Sequence, residues 1–230
     1  MSQKTILRVA AAISGISGVI ILTGVIYPIV SYNKTYSQNY TRLVSPITGA
    51  TEKVQGVVNT GAAAGSEVDY TQASNWFPGG AKKEDFSDSK VDYYTITIPR
   101  LKIDSATVAI GGEDLSKSLI QYPGTALPGK RGNSVIFGHS VLPIFYDPKN
   151  YISIFSLLPT LKEGDLMYIN YDGVSYTYRV ETMFEVMPTD IQVLDQDSTD
   201  SFLTLVTCVP PGDPGDPKRL IVRARVVPPQ

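Results

Sequence analysis

One strand–loop–strand unit decides the fold of this chain: FLTLVTCV (residues 202–209), the loop PPGDPGDP (residues 210–217) and RLIV (residues 219–222). The first piece is β-branched and apolar, which is typical of a buried strand. Proline lacks a backbone donor and glycine permits unusual backbone angles, so the second piece predicts a loop. The third piece predicts another strand, which begins at Arg219. The unit therefore brings the thiol of Cys208 and the guanidinium of Arg219 to one edge of a sheet.

The composition limits the chemistry that the chain can carry. The 230 residues include 43% hydrophobic residues and carry a formal net charge of −2, so the chain can bury a core and gives no electrostatic case for binding nucleic acid. Cys208 is the only cysteine and His139 the only histidine. An internal disulfide is therefore excluded, and a Cys/His zinc site is not expected. A lone cysteine in an apolar strand is most often a small buried hydrophobe. We expect no cofactor.

The N-terminal region predicts a membrane anchor. Val9–Val30 is a run of 22 residues without a charged side chain, long enough at ~1.5 Å per residue to cross the ~30 Å core of a bilayer. Lys4 and Arg8 precede it, which favours a cytoplasmic N-terminus. A cleaved signal peptide is the alternative, but the run is longer than usual and no small-residue cleavage motif follows it. We expect a cytoplasmic N-terminus (residues 1–8), a single-pass anchor (9–30) and an extracytoplasmic remainder.

Residues 31–90 are predicted to be an extracytoplasmic stalk and linker. The weak pattern of residues 45–90 predicts a mostly irregular tether. Residues 76–78, Trp-Phe-Pro, are the exception, because exposed aromatic side chains in a tether are unfavourable; we expect them to dock on the domain as a packed edge element or as a lid over its site. Several tyrosines recur at near-helical spacing and either extend the helix as a stalk or reflect chance: Tyr27, Tyr32, Tyr36 and Tyr40.

Residues 91–230 are predicted to form a β-barrel. Alternating residues 93–98 predict a strand, and Asp172-Gly173 between two strand patterns predicts a hairpin. The region holds about seven or eight short strands with little helix, which favours a closed barrel. We expect a short helix over residues 114–120 and one or two helical turns over residues 152–158.

Three residues at strand ends carry a family resemblance. His139 follows an apolar strand and a glycine, Cys208 ends the Thr-Leu-Val-Thr-Cys piece, and Arg219 begins the next strand. With residues 122–129 and 132–139, this pattern resembles the sortases, the membrane-anchored cysteine transpeptidases of the bacterial cell surface. The resemblance covers roughly residues 93–227. The chain departs from it in Ser140, where a basic residue is frequent, and in the proline- and aspartate-rich loop after Cys208.

The resemblance implies a closed sortase-like barrel and a mechanism. Cys208 is expected to be the nucleophile, His139 to stabilise its thiolate and then protonate the leaving amine, and Arg219 to hold the oxyanion. The implied substrates are surface proteins with an LPxTG-like sorting signal, cleaved between Thr and Gly through a thioester. The acceptor would be an amine such as a peptidoglycan precursor or a pilin lysine. Three neighbouring residues are expected to contact the substrate: Thr207, Leu205 and Pro210.

Several alternatives stay open on the sequence. Water instead of an amine would make the chain a Cys/His peptidase, and loss of chemistry would leave a membrane-tethered binding module. Arg223 and Arg225 share the strand parity of Arg219 and compete for its role, and Arg219 could instead be a surface residue paired with aspartate. We predict no metal site, because the acidic residues that could bind calcium match no recognised loop: Glu163, Asp165 and Asp190.

Overall fold

The computed structural model describes residues 3–35, 68–86, 92–213 and 218–228. The first of these ranges is one helix, α1 (Gln3–Thr35). Within it, Gln3–Gly24 has a mean hydropathy of 2.0, and its most apolar stretch is not buried against the rest of the described chain. Its length and composition therefore suit a membrane span. The predicted N-terminal apolar helix is therefore present. Tyr36 and Tyr40, and with them part of the predicted stalk, lie outside the described residues.

The described residues form a closed barrel of eight strands in the order β1-β2-β3-β4-β7-β8-β6-β5. This confirms the predicted closed barrel. The strands are β1 (Asp92–Ile98), β2 (Ile103–Ile110), β3 (Leu119–Gln121), β4 (Gly132–Phe137), β5 (Leu166–Tyr171), β6 (Val174–Val186), β7 (Ser201–Val209) and β8 (Lys218–Val226).

Strand β7 is central to the packing on both sides of the barrel wall. All nine of its residues are buried, which explains its continuous apolar sequence. Because side chains alternate along a strand, Leu203 and Leu205 face the barrel interior, whereas Val206 and Cys208 belong to a second apolar cluster outside the wall. The barrel therefore has an interior core and an outer cluster that share β7.

The hairpin prediction is confirmed and the short-helix prediction is wrong. Asp172 and Gly173 have φ of 50° and 73°, the left-handed angles that a tight two-residue hairpin requires. Residues 114–118 instead form a turn in which the Asp114 carboxylate accepts the backbone N–H of Ser116 at 2.9 Å. Residues 119–121 then pair as β3 with β2 and β4, which places Leu119 in the interior core and Ile120 in the outer cluster. Helical turns over 152–158 are replaced by hydrogen-bonded turns and a 3-10 helix at Leu158–Thr160.

Residues 68–86, here called the cover segment, pack on the outside of the barrel. The segment contains 3-10 helices at Ala73–Asn75 and Lys83–Phe86 and one bridge, Gln72 to Asp114. Three of its four aromatic side chains are buried in the outer cluster: Trp76, Phe77 and Phe86. The predicted irregular tether is therefore not what the structure shows for this part of the linker. Its remaining residues up to 91 lie largely outside the described ranges.

Candidate active site

Strand pairing brings the three predicted catalytic residues together. Strands β4 and β7 are parallel and in register, with Phe137 opposite Val206, so the chain leaves β4 towards His139 beside the end of β7. Strands β7 and β8 are antiparallel, and Cys208 lies directly opposite Arg219. One end of three adjacent strands therefore presents an imidazole, a thiol and a guanidinium.

Hydrogen bonds fix the backbone on either side of His139 to the end of β7. The Thr207 hydroxyl donates to the Gly138 carbonyl at 2.8 Å, and the Gly138 N–H donates to the Val206 carbonyl at 3.1 Å. The buried Ser140 hydroxyl donates to the Cys208 carbonyl at 2.7 Å. These three bonds set the position of the histidine relative to the cysteine, and the Ser140 bond gives a structural use to a residue that departs from the family pattern.

Burial decides the protonation of the thiol and the imidazole. Burial raises the pKa of Cys208, and the charge of Arg219 opposes this only in part. Burial also lowers the pKa of His139, with an opposing effect from the carboxylate of Asp69. Both shifts favour the uncharged forms. Burial in this closed arrangement therefore opposes the expected thiolate–imidazolium pair.

The imidazole of His139 has no hydrogen-bond partner. Both ring nitrogens, Nδ1 and Nε2, are buried and unpaired within the part of the chain that the structure describes. An unpaired buried polar group is costly, and such groups are uncommon outside functional sites. Among the described residues, nothing satisfies this histidine in the way that the structural alternative requires, and its catalytic role stays a prediction.

Trp76 of the cover segment lies directly on this trio. Its backbone carbonyl accepts two hydrogen bonds from Arg219, from Nε at 3.2 Å and from Nη2 at 3.0 Å. Its ring meets the His139 ring edge-on, with centroids 6.1 Å apart, and stacks on Phe137 at 5.1 Å. The guanidinium carbon of Arg219 lies 5.4 Å from the Trp76 ring and 5.3 Å from the Tyr70 ring. The cover segment thus shields the trio from solvent, and its Trp76 carbonyl takes up hydrogen bonds of the Arg219 guanidinium.

The polar contacts at the edge of the cover segment centre on Glu113. The Ala73 N–H donates to the Glu113 carbonyl at 3.0 Å, and the Ser74 hydroxyl donates to the Glu113 carboxylate. Lys83 lies 3.5 Å from the same carboxylate, with 68% of its side chain exposed. These are a few polar contacts near the surface, in contrast to the continuous hydrogen-bonded ladders of the barrel.

The two competing arginines of β8 do not reach the trio. Arg223 donates to the Thr204 hydroxyl at 3.4 Å and to the Val193 carbonyl at 3.3 Å. Arg225 lies 2.8 Å from the carboxylate of Glu181. Arg219 is only 1% exposed, so it is also not the surface residue that the alternative required. The first arginine of the strand is the one placed beside Cys208.

The three residues expected to contact the substrate are buried. Leu205 is 0% exposed and belongs to the interior core, so its side chain supports the barrel wall. Thr207 is also 0% exposed, and its hydroxyl is used by Gly138. Pro210 is buried directly after β7. Their contact with a substrate stays a prediction.

The acidic residues considered for calcium stabilise local turns. The Asp165 carboxylate accepts the Lys162 N–H at 2.9 Å, and the Asp190 carboxylate accepts the Met187 N–H at 2.8 Å. Within the described ranges no group of three or more His, Cys, Asp or Glu residues could hold a metal ion.

Comparison with known proteins identifies the family. The family model of the Sortase domain matches residues 96–227, more than half of the chain. A Sortase A of Streptococcus agalactiae serotype III (strain NEM316) is 29% identical over 132 residues, which are 57% of this chain and 51% of the relative. A Sortase A of Staphylococcus aureus (strain NCTC 8325 / PS 47) is 30% identical over 143 residues, with 55% and 66% covered. The match thus spans about half the length of the Streptococcus relative.

A solved structure agrees with the sequence comparisons. A structure described as Sortase A from Corynebacterium diphtheriae, lid mutant, matches with a TM-score of 0.52 and 29% identity, over 62% of this chain and 74% of that one. The barrel, the strand-end trio and these matches lead to one conclusion: the chain belongs to the sortase family.

Proposed function

We propose that this chain is a cysteine transpeptidase that cleaves an LPxTG-like sorting signal between Thr and Gly and transfers the acyl group to an amine. One observation carries the proposal. A backbone carbonyl, that of Trp76, already sits in the fork of Arg219 beside His139 and Cys208. Arg219 can therefore hold a peptide carbonyl oxygen at this place, which is what an acyl-transfer site must do.

The chemistry follows from the three side chains. The sulfur of Cys208 attacks the Thr carbonyl carbon and its proton passes to His139, while Arg219 donates hydrogen bonds to the developing oxyanion. His139 then gives that proton to the nitrogen of the Gly residue, the C–N bond breaks and a thioester to Cys208 remains. An incoming amine attacks the thioester carbon and loses a proton to His139, the C–S bond breaks, and His139 returns the proton to the sulfur of Cys208. Neither ring nitrogen has a partner among the residues that the structure describes, so substrate would not have to displace any of those residues from them.

The cover segment acts as a lid in this proposal. Trp76 occupies the place of the substrate carbonyl, so the segment has to leave before a sorting signal can bind. The Corynebacterium diphtheriae structure is a lid mutant of a Sortase A. Of the two sequence alternatives for residues 76–78, burial against His139 and Arg219 supports the lid.

Helix α1 anchors the enzyme in this proposal. A single pass with the N-terminus in the cytoplasm puts the barrel on the outer side of the membrane, where surface proteins with sorting signals and an amine acceptor would meet it. The acceptor would be a peptidoglycan precursor or a pilin lysine.

The test uses the full-length chain in detergent micelles with an LPxTG peptide and a small amine. Mass spectrometry should find an acyl adduct on Cys208 and an amine-dependent product, and both should be lost in Cys208→Ala and His139→Ala. Arg219→Lys should lower turnover by 100-fold or more, on the order of a lost oxyanion donor. The matched control is Arg225→Lys, the same change on the same strand, which should retain activity.

Two outcomes would favour the other functions. An adduct followed by hydrolysis with every amine tried would support a Cys/His peptidase. A folded chain that forms no adduct with any signal variant, even after Trp76→Ala, would support a binding module and overturn the proposal.

A further inference from the structure

The C-terminal end of α1 packs against one end of the barrel. A cavity of about 280 Å³ is lined on one side by Tyr27, Ser31 and Tyr32 and on the other by Pro143, Leu157 and Pro211, among others. The contact includes polar bonds, because the Tyr32 hydroxyl donates to the Glu185 carboxylate at 2.8 Å. Tyr32 is only 4% exposed. The helix end and the barrel are therefore in direct contact.

The end of the barrel that meets the helix is the end that carries the trio. Pro143 lies in the loop that follows His139, and Pro211 lies in the loop that follows Cys208. The same loop after His139 presents two large apolar side chains to solvent. Ile144 is 71% exposed and Phe145 is 66% exposed. Exposed apolar residues next to a membrane-type helix call for an explanation.

The loop holds this apolar pair outward by its own hydrogen bonds. Residues 143–145 form a 3-10 helix, and the Phe145 N–H donates to the Leu142 carbonyl at 2.9 Å. The Tyr146 hydroxyl donates to the Leu101 carbonyl, and the Asp147 N–H donates to the Ser153 hydroxyl at 3.0 Å. The inner side of the loop is thus tied to the barrel, and the outward position of the pair is a property of the fold.

We propose that Ile144 and Phe145 insert into the outer leaflet of the membrane that α1 spans, so that the active-site end of the barrel rests on the bilayer. This inference rests on the proposed membrane anchor. Tyr27 lies three residues beyond Gly24, the end of the apolar span, which is roughly 4.5 Å along a helix. Pro143, which lines the same cavity as Tyr27, is thereby placed at the depth of the headgroups. Aromatic and apolar side chains at that depth bind the boundary between headgroups and acyl chains.

The test reads the depth of single nitroxide labels on the full-length chain in phosphatidylcholine–phosphatidylglycerol vesicles. Cys208→Ala removes the only cysteine, and a new cysteine is then placed at one position at a time. Phe145→Cys is the test position and Tyr27→Cys reports the anchor. Tyr93→Cys and Val174→Cys are the controls, because both are exposed (62% and 48%) and lie at the other end of the barrel, where β1 pairs with the β5–β6 hairpin.

The inference predicts that the label at position 145 collides with oxygen several-fold more than with a water-soluble nickel complex, as the label at position 27 does. The labels at 93 and 174 should show the opposite preference. Lipid contact at 27 with water contact at 145 would overturn the inference and leave the anchor intact. Water contact at both positions would overturn the anchor itself. A label at 145 shielded from both reagents would mean a protein covers the pair, which also overturns the inference.

Discussion

The molecule has two buried apolar clusters, the interior core and the outer cluster, and they differ in what separates them from solvent. The interior core is surrounded by eight hydrogen-bonded strands. The outer cluster, which contains Cys208, is closed by the cover segment, which is held by its buried aromatic side chains, one bridge and individual hydrogen bonds instead of a continuous strand ladder. We expect opening of the first to require unfolding and the second to open locally. Under the proposed function, burial then gives stability in one cluster and control of access in the other.

The largest difference between the two clusters should come from removing the Trp76 side chain, which should open the outer cluster and expose Cys208. Trp76→Ala takes away a fully buried ring, a change that costs about 3–5 kcal/mol in packed sites. Each 1.4 kcal/mol is tenfold in an equilibrium, so we expect the rate at which iodoacetamide alkylates Cys208 to rise by about 100-fold or more. The rate can be followed by mass spectrometry of the intact chain, which has one cysteine.

Trp76→Phe is the matched control for this variant, because it keeps an aromatic ring over His139. It should accelerate alkylation far less than Trp76→Ala. If Trp76→Ala alkylates no faster than the unchanged chain, the cover segment does not control access to the thiol.

The interior core should respond in the opposite way. Leu205→Ala removes a side chain that is 0% exposed and should lower the free energy of unfolding by about 2–5 kcal/mol, measured by denaturant titration in detergent micelles. Without denaturant, the rate of alkylation of Cys208 should stay within about twofold of the rate in the unchanged chain. The substitution affects global unfolding rather than local opening of the cover segment. A large rise in alkylation in this variant would show that the two clusters open together.

The sequence predicted the strands and the three residues of the trio, but it did not predict that the cover segment closes over them. The alternation of residues 93–98, the Asp172-Gly173 hairpin and the positions of His139, Cys208 and Arg219 are local signals, and the structure agrees with them. The cover segment is different, because its place depends on contacts between Trp76 and residues far along the chain. Only the aromatic side chains of residues 76–78 signalled that this part of the linker packs. No local sequence signal indicated that the backbone carbonyl of Trp76 would accept hydrogen bonds from Arg219.

Protonation depends on burial, which the sequence alone does not give. From sequence, an imidazole beside a thiol suggests an ion pair, because charge attraction is the obvious effect. In the closed site, burial raises the pKa of Cys208 and lowers the pKa of His139, and both shifts oppose that pair. The sequence identifies the thiol and the imidazole but does not show how far the fold buries them. The helix expected at residues 114–120 failed in a similar way, since pairing with β2 and β4 outweighs local preference.

The pH dependence of closure separates the two clusters more finely. Burial raises the pKa of Cys208, so closure is fully stable below the ordinary thiol pKa of about 8.5 and weakens as pH rises through the raised value. Burial lowers the pKa of His139, so closure is fully stable above the ordinary value of about 6.5 and weakens as pH falls through the lowered value. Closure should therefore be strongest between about pH 6.5 and 8.5.

Fluorescence of Trp76, the only tryptophan, measures this directly. Its emission should be most blue-shifted and least quenched by acrylamide inside that window, with a red shift on either side. In Cys208→Ala the alkaline shift should disappear while the acid shift remains. Retention of the alkaline shift in this variant would assign it to another group.

The smallest effect should come from the rim of the cover segment. Glu113→Ala removes the carboxylate that meets Ser74 and the largely exposed Lys83. Exposed ion pairs are worth about 1 kcal/mol or less, so we expect alkylation of Cys208 to rise by no more than about fivefold. Lys117→Ala is the matched control, because it breaks the nearby 2.9 Å pair with Asp114, a pair that includes no side chain of the cover segment, and should change nothing. If Glu113→Ala equalled Trp76→Ala, the polar rim rather than the apolar cluster would hold the site closed.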